Sequence, residues 1–131
     1  MFEPMVTADW TVEDHLRDKP ANAVALYERF VELVAACGPF TYAVAKTTIT
    51  VKGTRRGFAG ARPTEKGHLV GYLDLQRVVS DPRIRNAAPY TKRLFVHHFR
   101  VSDLAELDDV FAGWLAEAYQ VGAGAHLDPK V

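Results

Sequence analysis

Apolar residues recur at helical spacing through Ala23, Leu26, Tyr27, Phe30, Leu33, Val34 and Cys37, and Gly38-Pro39 stops the run. Pro20 suits the first turn of this helix. Glu28, Arg29 and Glu32 occupy its other side, so one stripe meets a core and the charges meet water. Before it, Thr11 with Asp14 three residues on predicts a short helix from Thr11 to about Arg17 with an acidic first turn. From Phe40 the pattern changes to β-branched and aromatic residues cut by glycines. TTITVKG, GFAGARP and HLVGYLDL, separated by TRR and TEKG, predict three antiparallel strands in hairpin order. Alternation places Ile49, Val51, Leu69, Leu73 and Leu75 on the core face, and Lys46, Thr48, Thr50, Lys52, His68, Val70, Tyr72 and Asp74 on the other.

Residues 76–92 carry Pro82 and Pro89, and Ser80-Asp81-Pro82 predicts a connection containing one helical turn. KRLFVHHFRV is then a fourth strand with Phe95, Phe99 and Val101 inward and His98 and Arg100 outward. Asp103 with Glu106 opens the last helix, whose stripe is Leu104, Leu107, Phe111, Trp114, Leu115 and Ala118; Gly122 and Gly124 end it. The expected architecture is α+β: an antiparallel sheet of about four strands with helices on one face, in the order α-α-β-β-β-(short α)-β-α. One domain over residues 11–121 is expected, between an N-terminal arm (1–10) and a flexible tail (122–131).

With 48% hydrophobic and 24% charged residues, the composition is that of a folded soluble chain and excludes wholesale disorder. No apolar run approaches the roughly 18 to 20 residues that cross a bilayer, and MFEPMVTADW lacks the features of a secretory leader. No membrane association is therefore expected. The lone Cys37 cannot form an internal disulfide and sits on an apolar stripe, which favours packing over chemistry and fits a cytoplasmic protein. The zero net charge conceals a segregation. Residues 1–43 hold 3 basic and 7 acidic side chains, residues 44–100 hold 12 and 3, and residues 101–131 hold 1 and 6, giving −4, +9 and −5. A basic middle attracts anions, unless the acidic helices neutralise it within the molecule.

The stretch KTTITVKGTRRGFAGARP, then RLFVHHFRV, then SDLAELDDVFAGWLAEAY resembles a bacterial family of small domains of unknown function, the one numbered 5655, from about Trp10 to Tyr119. More distantly, the order of elements is similar to the YdhG-like proteins. The resemblance implies the α+β architecture and supplies no activity or catalytic residue set.

The remaining chemistry is read from the residues. His97 and His98 are neighbours on a strand and point to opposite faces, so the pair is a poor metal site and His97 reads as a hydrogen-bonded core histidine. Asp108-Asp109 and Glu13-Asp14 read as solvated helix faces. GTRRGFAG lacks the strand-loop-helix context of a phosphate loop and reads as a hairpin tip. No cofactor motif occurs, so none is expected. The strongest constellation is basic: Lys46, Lys52, Arg55, Arg56, Arg62, Lys66, Arg83, Arg85, Lys92, Arg93 and Arg100 all fall in the sheet region, with Val70, Leu94 and Val96 adding an apolar component to the open face. Three functions follow in order. The first is a non-enzymatic binding module in which Lys46, Lys52, Arg55, Arg56, Tyr72, His98 and Arg100 hold an anionic small molecule or polyanion. The second is an interaction domain whose same face forms a homodimer. The third is an enzyme with His98 as general base and Tyr72 or Lys46 polarising a small substrate. Sequence-specific nucleic-acid recognition is not expected, because Tyr72 alone is no stacking platform.

Overall fold

A computed structural model describes residues 10–127. Phe2 and most of the expected arm lie outside these, as do residues 128–131. Helix α1 (Val12–Leu16) begins as its sequence predicts: the Thr11 hydroxyl accepts from the Asp14 N–H at 3.1 Å, and the Asp14 carboxylate accepts from the Thr11 N–H at 2.9 Å. Helix α2 (Ala21–Cys37) buries Ala23, Leu26, Tyr27, Phe30 and Val34 and stops at Gly38, whose φ of 144° favours glycine. Cys37 lies half-buried against the core, and burial raises its pKa.

The sheet has six strands, not about four: β1 (Thr41–Val44), β2 (Ile49–Lys52), β3 (Gly57–Pro63), β4 (Leu69–Leu75), β5 (Ile84–Thr91) and β6 (Leu94–Val101). They lie in the order β1-β2-β3-β4-β6-β5, every neighbouring pair antiparallel. The two strands absent from the expectation, β1 and β5, are the two edges. An edge strand needs no continuous apolar pattern, and it tolerates Pro89, whose missing N–H costs a central strand a ladder bond. The helical turn expected at Ser80-Asp81-Pro82 is instead a turn closed by Asp81, whose carboxylate accepts from the Arg83 N–H at 2.9 Å. That bond serves a helix cap and a turn equally, and pairing with β6 decides for the strand.

The last helix, α3 (Asp109–Gly122), starts later than Asp103. Asp103 and Glu106 do form a capping box, but it opens only a 3-10 turn over Leu104–Glu106; Leu107 then drops into the core, and Asp108 caps α3 afresh. Leu104, expected on the buried stripe, is 51% exposed. After Gly122, where the sequence predicts a free tail, a 3-10 turn over Ala125–Leu127 buries His126.

Helices α2 and α3 cover one sheet face. Between them and the sheet lie Ile49, Val51, Leu69, Leu73, Leu75, Phe99 and Val101, all buried as alternation predicts. Phe30, Phe99 and Phe111 form an edge-and-stack cluster with centroids 5.1 to 6.5 Å apart, joining α2, β6 and α3. His97 belongs to this side. It is fully buried, its Nε2 accepts from the Val79 N–H at 2.9 Å, and its Nδ1 lies 3.0 Å from the Phe95 carbonyl, to which it donates. Among the described residues no helix is long and apolar enough to cross a membrane.

Candidate functional site

The sheet face turned away from α2 and α3 is paved in rows, because residues opposed across an antiparallel pair share a face. One row runs Thr50, Gly60, Tyr72, His98, Asn86 from β2 to β5; beside it run Arg62, Val70, Arg100 on β3, β4 and β6. In the first row, Gly60 has no side chain to hold the Tyr72 ring up. A Cβ there would come within 2.6 Å of the ring, so the ring lies over Gly60 and its hydroxyl reaches Thr50 Oγ1 at 3.3 Å, two strands away. Burial pushes the Tyr72 pKa up, the Thr50 hydrogen bond pulling the other way.

Tyr72 lines an open depression of about 460 Å³ with Thr48, Arg62, Val70, Arg85, His98 and Arg100. A second depression, of about 500 Å³, shares Arg62, Val70 and Arg100 with the first and is lined as well by Lys46, Lys66, His68, Lys19, His15 and Trp10. His15 Nε2 is hydrogen-bonded to the Ala45 carbonyl, and the Trp10 ring packs on His15 with centroids 5.3 Å apart. Asp14 and Glu65 also line this second space; Asp14 is engaged by Thr11 and Arg17.

The acidic C-terminal stretch neutralises part of the basic middle, pairing with Arg77 and Arg83. Ion pairs among the described residues join Arg17 to Asp14, Arg29 to Glu32, Arg56 to Asp74, Arg77 to Glu117, and Arg83 to Asp81 and Asp108. None of the six lysines and arginines lining the two depressions takes part in one. Among the described residues, ion pairing therefore passes over the cations of the two depressions.

Beyond the depressions, the same face holds a buried acid. Asp74 is 2% exposed, and its Oδ2 accepts from Arg56 Nη2 at 2.8 Å, while Oδ1 has no hydrogen-bond partner among the described residues. Burial pushes this carboxyl up to about 6, with Arg56 and His98 pulling it back. The Arg56 guanidinium also sits 5.6 Å from the centre of the Tyr90 ring.

Residues 12–122 match a family described as a domain of unknown function, DUF5655. The chain belongs to that family. No curated protein and no solved structure matches it at a significant level.

In this DUF5655 domain the expected site residues divide. Tyr72, His98 and Arg100 line the first depression and Lys46 the second. Lys52 is exposed on β2 and lines neither. Arg55 and Arg56 sit at the β2–β3 tip, which is docked on the end of α3: both backbone N–H groups donate to the Gly122 carbonyl, at 2.8 and 3.2 Å. Their charges thus lie at the negative end of that helix, and Arg56 is further engaged by Asp74. Arg62, Arg85 and Thr48 complete the depression; the sequence places Arg62 and Arg85 among the cations of the sheet region and Thr48 on the open face, but none of them among the seven binding candidates. Arg62 was accessible through strand parity with Gly60, but a bulge between Val51 and Lys52 obscures the register of β3. Arg85 lies on an edge strand that the sequence reading did not contain.

Proposed function

We propose that this domain is a non-enzymatic binding module whose open sheet face holds an anionic ligand with a flat apolar body. The observation that carries this reading is the row Arg62, Val70, Arg100 beside the Tyr72 ring. Two guanidiniums that form no ion pair among the described residues flank an apolar residue, and an aromatic ring is laid down next to them in a depression of about 460 Å³. Arginine forks suit phosphate and carboxylate, and the ring and valine offer apolar area to the remainder of the ligand. A general-base role for His98 has less support, because its ring has no hydrogen-bond partner among the described residues to orient it.

Isothermal titration with two probes, adenosine monophosphate and 2-naphthoate, tests the reading. Binding of at least one is expected, weakened about ten-fold or more in the Arg62→Ala/Arg100→Ala variant. It is expected to persist in Arg55→Ala/Arg56→Ala. Absence of binding, or equal loss in both variants, overturns it.

A further inference from the structure

The two depressions share Arg62, Val70 and Arg100, and taken together as a groove their contents alternate. At one end the Tyr72 ring lies flat over Gly60, pinned by Thr50; at the other the half-buried Trp10 ring packs on His15. Between them stands the shared wall of Arg62, Val70 and Arg100. Arg62 and Arg100 are separated by one intervening strand, about 10 Å at the backbone. The order is ring, cation pair, ring, with Arg85 also lining the first depression and Lys46 and Lys66 the second.

A single nucleic-acid strand alternates in the same way: a flat base, an anionic phosphate, a flat base. Base–aromatic stacking tolerates any sequence, since every base has a π face, and a cationic track follows the backbone. A duplex keeps its bases stacked inside and cannot offer them to rings that lie at the floor of a depression. An acidic peptide would satisfy the cations but leave both rings without a flat partner.

Building on the anion-binding reading above, we propose that the groove binds a short stretch of single-stranded nucleic acid without sequence preference. Bases rest on Tyr72 and Trp10, and the phosphate between them meets Arg62 and Arg100. Sequence-specific reading is not part of this proposal, because no base-edge code is built into the face.

Fluorescence anisotropy with 5′-labelled octathymidylate tests it, using the whole chain. Binding should be tighter than that of adenosine monophosphate and should fall as salt rises, with a log–log slope of about −2 to −3 if three to four phosphates are engaged. Tyr72→Ala and Trp10→Ala should each weaken octathymidylate binding by about ten-fold. Only Tyr72→Ala should weaken the mononucleotide, which occupies one depression. Thermal melts check that both variants fold; if Trp10→Ala does not, Lys46→Ala/Lys66→Ala is expected to weaken the octamer and spare the mononucleotide. Octathymidylate binding no tighter than the mononucleotide overturns the proposal and leaves the small-anion reading intact. So does displacement by inorganic polyphosphate with no effect of either ring variant, which would make the groove a purely electrostatic one. Failure of the mononucleotide, 2-naphthoate and octathymidylate alike removes both readings.

Discussion

Tyr72 can stretch from β4 across β3 to Thr50 on β2 because Gly60 leaves the space between them empty. The arrangement follows from a residue whose usual reading is only that it weakens a strand. Gly60→Ala would place a Cβ within 2.6 Å of the ring and 3.0 Å of the Ile49 carbonyl. The ring should lift and release Thr50, and mononucleotide affinity should fall about five-fold while the fold persists; unchanged affinity would mean that the flat ring is not part of the site. Asp74 carries a second prediction. Its carboxyl is held at about 6 against an ordinary 3.8, so the folded protein binds this proton more tightly than the unfolded chain. The Asp74 contribution to stability is complete below about pH 4 and is lost as pH rises through about 6. His97 works in the opposite sense: burial lowers its pKa from 6.5, and its contribution is lost as pH falls below that value. Asp74→Asn removes the first dependence alone. Urea midpoints should show the variant gaining on the parent between pH 4 and pH 7, and a difference independent of pH would contradict the assignment. The histidine roles were legible from parity, which sends His97 and His98 to opposite faces; the burial of Asp74 was not, because its partner Arg56 comes from a distant segment.

Central elements announce themselves and edges do not. Helix α2 and strands β2, β4 and β6 carry a buried periodic stripe, and their inward residues follow from spacing alone. Strand β1 has a mostly exposed pattern, and β5 has none of its residues fully buried, so neither repeats an apolar signal that pattern reading can catch. The loss of β5 also cost the site Arg85. The β2–β3 tip shows the converse error: a basic hairpin was legible, its docking on α3 was not. Gly53 approaches Gly122 so closely that a Cβ would lie 2.8 Å from its carbonyl, and the tip supplies two N–H donors to that same group. Arg55 and Arg56 therefore serve the helix end and Asp74. The Arg55→Ala/Arg56→Ala variant should lose about 2 kcal/mol of stability, through the helix dipole and the abandoned carboxylate, as read by urea denaturation. Full stability with lost anion binding would return these residues to the site.

On the scale of the whole molecule, the acidic C-terminal stretch reaches the basic middle at Arg77 and Arg83, while other cations of that middle line the two depressions. The sheet separates helices α2 and α3 from a face whose two depressions are lined by cations that form no ion pair among the described residues. Two such faces brought together repel, so light scattering should find a monomer across a concentration series at low salt. A stable dimer that dissociates on Val96→Glu would instead assign the half-buried Val70 and Val96 to self-association. The most direct test of the account is amide chemical-shift mapping by NMR during titration with the dinucleotide thymidylyl-thymidine. Shifts should concentrate on Thr48, Arg62, Val70 to Tyr72, His98 and Arg100 and extend to Lys46 and Trp10. Shifts confined to the β2–β3 tip or to the surfaces of α2 and α3, or no shifts at all, would contradict it.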